Sequence, residues 1–142
     1  MQENINALDE IHKGCCMGED AISFVLDKVK NRKLKKELEK EFNDYKTIGD
    51  EIESIYPKYN DGEPHKTGAV NKAMTWSSIE MKTMNDDSNS KIAELLLQGV
   101  NMGIIEGRRI LNKKKINKEV EDLVSKYVTM QEQSMEDLKD FL

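Results

Sequence analysis

The sequence has few of the residues that interrupt helices or cross-link a chain. Its 142 residues include two prolines, two cysteines and eight glycines, and only 6% are aromatic. These counts exclude a collagen, a disulfide-stapled scaffold and a low-complexity linker. No stretch approaches the roughly 18 consecutive apolar residues of a membrane-spanning helix. The first twenty residues are polar and lack the apolar core of a signal peptide, so we expect no membrane segment and no secretion signal.

Charged residues are abundant and slightly acidic in balance. There are 22 Lys and Arg residues against 27 Asp and Glu, which gives a formal net charge of −5. This balance argues mildly against general nucleic-acid binding. The two cysteines, Cys15 and Cys16, are adjacent in a helical pattern, so a disulfide between them is not expected. Such cysteine usage is typical of a reducing compartment and predicts a cytoplasmic protein.

Apolar residues recur in steps of three and four over most of the chain, which is the spacing of one helix face. The pattern predicts helices over about 3–30, 34–56, 69–84, 91–112 and 116–141, and the second must end before Pro57. The polar run 85–90 is predicted to break the chain and cap the fourth helix. The predicted inner side of the third helix consists of Ala73, Trp76, Ser77, Met81 and Met84.

The lengths of these segments predict how the helices are arranged. Four long helices occur as two pairs joined by tight turns, and a long connection containing the short third helix links the pairs. This pattern favours an all-α four-helix bundle with a crossover, formed as a single domain over residues 1–142. In that layout, helix one neighbours helix four, and helix two neighbours helix five.

Two fragments carry a resemblance to a known family. Ile11–Ile22, with its Gly-Cys-Cys-Met-Gly core, and Asp87–Ile104, with Leu-Leu-Leu-Gln-Gly, resemble an uncharacterised bacterial ferritin-like family found in anaerobic Gram-positive bacteria. The resemblance covers nearly the whole chain in helix order. It implies a ferritin-like bundle that is cytoplasmic and oligomeric, and it implies no settled activity.

The histidines depart from the pattern of di-iron ferritin-like proteins. Those proteins carry one Glu on each of two helices and a Glu-x-x-His pair on each of the other two. This chain has only His12, in the sequence Asp9-Glu-Ile-His, and His65, in the predicted loop. Because two histidine-bearing helical motifs cannot be made, the sequence argues against a di-iron oxidase.

Four polar residues interrupt the apolar seams, and buried charges are costly unless paired or bound to metal. They are His12, Glu19, Glu41 and Glu106. Counting levels along the predicted bundle places His12 beside Glu106 and Glu19 beside Glu41. Either pair could take zinc, iron or manganese, since imidazole and carboxylate suit these ions. The alternative is a hydrogen-bonded pair that sets helix register.

Glycines recur at intervals of four in two predicted neighbours. Helix one has Gly14 and Gly18, and helix four has Gly99, Gly103 and Gly107. A glycine inside a helix costs about 0.5 to 1 kcal/mol relative to alanine, so five of them need a compensating use. We expect close packing of helix one on helix four. A subunit interface or space for a ligand is the alternative.

Basic residues surround two predicted turns and hold 13 of the 22 Lys and Arg residues. The sets are Lys28, Lys30, Arg32, Lys33, Lys35, Lys36 and Lys40, and Arg108, Arg109, Lys113, Lys114, Lys115 and Lys118. They could contact an anion or a nucleic acid, or simply complement helix C-termini and aid solubility. The crossover places the two turns at opposite ends, which weakens a single binding patch.

The sequence therefore specifies an architecture better than an activity. We expect a non-catalytic bundle that self-associates as a homo-oligomer or binds a protein partner. The first alternative is a protein with a divalent metal in a degenerate carboxylate and histidine site. The second is an anion or nucleic-acid contact through the basic turns.

Overall fold

The computed structural model describes residues 1–142 and is all-helical, as the apolar spacing predicts. The α-helices are α1 (Gln2–Leu26), α2 (Arg32–Ile55), α3 (Ala69–Thr83), α4 (Asn89–Lys113) and α5 (Lys118–Lys139). A short 3-10 turn at Tyr56–Lys58 follows α2, and there is no β-strand. The first helix ends at Leu26 instead of near Lys30. The chain turns at 27–31 before α2 begins.

Side-chain caps mark where α2 and α4 start. The Asn31 side chain accepts hydrogen bonds from the backbone N–H groups of Lys33 and Leu34, at 2.9 and 3.0 Å. Ser88 caps α4 by accepting from the N–H of Lys91 at 3.2 Å. Each cap satisfies donors that have no partner within the helix. The break between α3 and α4 thus falls where the polar run 85–90 predicts it.

Contacts between helix ends define the topology. α1 and α2 form one antiparallel hairpin, and α4 and α5 form the other. The side chain of Asn4 accepts from the N–H of Asn117 at 2.7 Å, so α1 and α5 start at the same end. The ion pair of Lys58 with Glu119, at 2.8 Å, joins the end of α2 to the start of α5. The four long helices therefore run up, down, down and up, and the crossover from α2 to α4 spans the bundle.

The core lies between the two hairpins and is continuous. α1 lies beside α4 and α2 beside α5, the neighbours that the crossover layout predicts. Fully buried aliphatic side chains come from every long helix and include Ile11, Leu34, Leu38, Ile92 and Leu138. Burying such a side chain contributes about 1.5 to 3 kcal/mol, so these stripes hold the bundle together.

The helix α3 has the opposite orientation to the one predicted. The side chains of Trp76, Met81 and Met84 are 51, 70 and 75% exposed, and Ala73 and Ser77 are exposed as well. All five were predicted to face inward, and that prediction is wrong. Its buried residues are Ile79 and Thr83 instead.

Two ion pairs accompany this orientation of α3, one with α1 and one with the turn that follows α1. Glu80 pairs with Lys28 at 2.9 Å, and Lys72 pairs with Asp20 at 3.5 Å. Lys72 and Glu80 stay 56 and 36% exposed, so these pairs lie at the edge of the contact in which Ile79 and Thr83 are buried. Helical periodicity shows that a face is apolar, but it does not show which face a neighbour covers.

None of the helices combines the length and apolar character needed to cross a membrane.

Candidate functional site: a cavity between α1, α3 and α4

A cavity of about 550 Å³ opens between α1, α3 and α4. This volume lies in the range of roughly 300 to 1,000 Å³ that is typical of small-molecule sites. Its walls are largely apolar and include Met17, Ile22, Ile79, Leu96, Val100 and Met102. The floor is formed by side chains from the other two helices, α2 and α5. The arrangement can therefore hold an apolar body with its polar end at the floor.

The glycines of α1 make room for the side chains of the floor. A Cβ atom at Gly18 would lie within 3 Å of three ring atoms of Tyr45, which reaches across from α2. A Cβ at Gly14 would collide with the hydroxyl group of Tyr127 from α5. Real Cβ contacts are not this short, so a larger residue at either position would displace a tyrosine. The two glycines therefore let the tyrosines lie directly beneath the cavity.

The glycines of α4 divide into two kinds. A Cβ at Gly103 would meet Gln131 and the hydroxyl of Tyr127, and one at Gly107 would meet Val128. Gly99 lines the cavity and faces open space. Four of the five glycines accommodate side chains from α2 and α5, and the nearest atoms at these positions do not belong to the facing helix of the α1–α4 pair. The glycines therefore do not serve the predicted close packing of helix one on helix four.

The polar floor consists of uncharged hydrogen-bonding groups. The hydroxyl of Tyr45 donates to Oε1 of Gln131 at 2.6 Å, and both side chains are buried. Burial raises the pKa of Tyr45 and the pKa of Tyr127 well above the ordinary value for a phenol. Both phenols therefore keep their protons at neutral pH and act as hydroxyl groups. The sequence analysis did not identify Tyr45, Tyr127 and Gln131. The available signals were the two tyrosines at core spacing and the helical glycines, which leave space for a large ring.

Glu41 is the most unusual group in the floor. Its side chain is 1% exposed, and no donor from another kind of residue reaches its Oε2 atom. The Oε2 atom of Glu37 has no donor from another kind of residue either, so the two carboxyl groups hydrogen-bond to each other. Burial raises the pKa of Glu41, and the neighbouring Glu37 and Asp137 carboxylates raise it further. Glu41 is therefore a carboxylic acid held in its neutral form, a state that deep burial beside like charges favours.

Charged residues at the cavity mouth balance one another. Glu10, Lys13, Lys82 and Glu106 line this region. Burial raises the pKa of Glu106, and the nearby Glu10 carboxylate raises it further. Lysine charges stand at the rim, whereas the acid Glu41 is buried at the floor. The cavity thus presents both signs of charge outside and an acid inside.

His12 lies outside the cavity, where it holds the crossover loop. Its Nδ1 contacts the backbone carbonyl of His65 at 2.7 Å, and its Nε2 contacts the Glu53 carboxylate at 3.0 Å. Because both partners only accept, both ring nitrogens must donate, and the ring is an imidazolium. Burial lowers the pKa of His12, but hydrogen bonds to Cys16, His65 and Glu53 outweigh it and raise the pKa to about 9.

Asp9 completes this attachment one helical turn earlier. Its Oδ1 accepts from the Tyr56 hydroxyl at 2.8 Å and from the backbone N–H of His65 at 3.0 Å. We call the group formed by Asp9, His12, Glu53, Tyr56 and His65 the crossover clamp. It fastens the loop after α2 to the start of α1 and so sets where the crossover begins.

The predicted metal ligands are not brought together. His12 contacts Glu53, whereas Glu106 has Glu10 as its acidic neighbour. Glu19 lies near Lys46 and Asp50, while Glu41 faces Glu37. The structure contains no group of three or more His, Cys, Asp or Glu side chains arranged to hold a metal ion. The contacts that His12, Glu41 and Glu106 make are thus with residues other than the predicted partners. Counting levels along a helix leaves the rotation of each residue about the axis undetermined.

The two basic turns stand at opposite ends of the bundle, as the crossover requires. Several of their cations are paired with carboxylates: Lys28 with Glu80, Lys40 with Asp44, Arg108 with Glu132, and Lys118 with Asp122. The turns do not form one continuous basic surface.

No protein-family model, curated protein or solved structure matches the chain.

Proposed function

We propose that this protein is a ferritin-like helical bundle that binds a small molecule without transforming it. The observation that carries the proposal is the cavity between α1, α3 and α4, with its apolar walls and buried polar floor. Cavities of this composition are the usual binding sites of proteins. The glycines opposite Tyr45 and Tyr127 support the proposal. Glycine destabilises a helix interior, and here it leaves the room that the two tyrosines of the floor occupy.

Two further features support the remaining parts of the proposal. The up-down-down-up helix order with a full-length crossover is consistent with a ferritin-like bundle. The cysteines Cys15 and Cys16 are both free, which supports a cytoplasmic location.

Filling the cavity tests the proposal directly. Gly99 lines the cavity and faces open space, so Gly99→Phe should occupy it without displacing a neighbour. We expect octanol to shift amide NMR signals of cavity residues in the unmodified protein and to lose this effect in Gly99→Phe. Asn101→Phe is the matched control, since Asn101 is exposed on the same helix. Octanol shifts that survive in Gly99→Phe, or are absent from the unmodified protein, would contradict the proposal.

Self-association is the second candidate, and the outward face of α3 favours it. Val70, Met74, Ser77, Met81 and Met84 follow one another at steps of four, three, four and three. The four apolar members are 65 to 75% exposed. Run antiparallel to a second copy, the stripe places Val70 opposite Met84 and Met74 opposite Met81, with the small Ser77 at the crossing. A patch that complements itself is what a two-fold dimer requires.

The oligomeric state decides this second candidate. We expect a dimer by size-exclusion chromatography with light scattering, and a monomer when Met81→Lys places a charge in the stripe. Asn71→Lys is the matched control because Asn71 is exposed on α3 outside the stripe. A monomeric unmodified protein, or an unchanged mass in Met81→Lys, would remove the candidate.

A further inference from the structure

We propose that the cavity binds an organic cation, an ammonium group on an apolar body, with Glu41 as its counter-ion. The inference rests on the proposed function and specifies its ligand class. Glu41 lines the cavity and is 1% exposed, no donor from another kind of residue reaches its Oε2, and its side-chain partner is a second acid, Glu37. Two buried acids side by side must hold a proton between them, and a ligand cation is the partner that would take the place of that proton.

The charged groups around Glu41 are mostly acidic, and none of them is a cation free to pair with it. On its own helix lie Glu37 and Lys40, and Asp137 approaches from α5. The Lys40 ammonium is directed to Asp44, at 3.0 Å, and both side chains are exposed in part. The nearest acids therefore outnumber the one cation, which is already paired.

Charges on the remaining helices lie at the cavity mouth. They are Glu10 and Lys13 on α1, Lys82 on α3 and Glu106 on α4. An anion that reached the floor would meet Glu41 and the tyrosine oxygens. An ammonium group at the same place would meet the acid and two aromatic rings.

The other lining groups suit such a ligand. Tyr45 and Tyr127 line the floor, and the face of a tyrosine ring attracts a cation within about 6 Å. Met17, Met74 and Met102 line the outer part, where flexible, polarisable side chains adapt to an apolar body. The ammonium would lie at the floor and the apolar part along the methionines.

Binding has a defined proton balance. Without ligand, Glu41 carries its proton. When a ligand ammonium enters, the O–H bond of Glu41 breaks, the proton leaves to the buffer, and the carboxylate pairs with the cation. One proton is therefore released for each cation bound, with no oxidant or other reactant. A neutral ligand of the same shape releases none.

Three ligands of equal chain length distinguish the possibilities by isothermal titration calorimetry at pH 7. We expect octylamine, protonated at this pH, to bind roughly tenfold or more tightly than octanol, as a charge-assisted contact requires. Octanoate should bind more weakly than octanol. Repeating the octylamine titration in buffers of different ionisation enthalpy should show the release of about one proton.

Glu41→Gln should abolish the preference for octylamine and the proton release while keeping octanol binding. Glu39→Gln, which is exposed on the same helix and outside the cavity lining, is the matched control and should keep both. Equal affinities for octylamine and octanol would overturn this inference but leave the proposed function standing. A preference that survives in Glu41→Gln would also overturn it. If no ligand binds, both fail. Proton release on the unmodified protein decides the inference even if Glu41→Gln does not fold.

Discussion

The crossover clamp and the cavity floor are two buried polar clusters built in opposite ways. In the clamp, the Asp9 carboxylate accepts two hydrogen bonds, and both nitrogens of His12 have acceptors. In the floor, Glu41 has another acid, Glu37, as its partner, and no donor from another kind of residue reaches its Oε2. A satisfied network stabilises and specifies a structure, whereas an unsatisfied group of this kind is costly. The comparison teaches that the chain satisfies the polar groups that hold the crossover, whereas it leaves two acids of the floor with only each other as partners.

The largest effect should come from breaking the clamp. His12→Ala removes two charge-assisted hydrogen bonds and leaves the His65 carbonyl without its donor. We expect the free energy of unfolding to fall by about 3 kcal/mol, measured by urea denaturation. Glu41→Gln, in the floor, should not lower it at neutral pH, because the amide can donate to Glu37 as the neutral acid does and does not have to hold a proton above pH 4.5. Similar losses from both substitutions would erase the distinction between the clusters.

The glycine under Tyr45 should come next in magnitude. Gly18→Ala places a Cβ within 3 Å of three atoms of a buried ring. We expect a loss of about 2 kcal/mol, the usual cost of overpacking, with octanol binding weakened as the ring moves. Thermal unfolding monitored by circular dichroism and the octanol titration check the two parts. A variant as stable as the unmodified protein would show that Tyr45 can move freely.

The two clusters should also titrate over different pH windows. The pKa of His12 is raised from 6.5 to about 9, so its stabilisation is complete below pH 6.5 and is lost as pH rises through 9. The pKa of Glu41 is raised above its ordinary 4.5, so the folded chain keeps this proton at pH values where the unfolded chain has lost it. The stability of the folded state therefore falls as pH rises past 4.5. Both make the protein less stable toward alkaline pH.

Single variants separate these two contributions in urea titrations from pH 4 to 10. Glu41→Gln should remove the part of the decline that begins near pH 4.5. His12→Ala should remove the part between pH 6.5 and 9. A pH profile unchanged by either substitution would show that the groups titrate alike in the folded and unfolded chains.

The smallest effect should be a gain. Gly99→Ala adds a methyl group at a helical position with open space in front of it. We expect the protein to gain about 0.5 to 1 kcal/mol of stability, since alanine favours the helix over glycine. Urea denaturation beside Gly18→Ala provides the comparison. If Gly99→Ala is destabilising, the space in front of Gly99 is smaller than the structure indicates.

Sequence reasoning succeeded where the cause is local and failed where it is not. The helices and the break before α4 follow from apolar spacing and from capping by Ser88. The contacts of His12 were not predicted, because this residue turns toward the crossover loop at His65, which is 53 residues away along the chain. The sequence indicates that the glycines make room for a neighbour. It does not indicate that the neighbours are Tyr45 and Tyr127, because these lie on other helices.

The sequence by itself determined the all-helical class, the approximate helix boundaries and the pairing of helices across tight turns. These follow from periodicity, capping and the scarcity of proline, which act over a few residues. Only the tertiary structure decided the rotation of α3, the clamp at His12 and the isolation of Glu41 at the cavity floor. Each depends on which side of a helix meets another helix, and many distant contacts together set that angle.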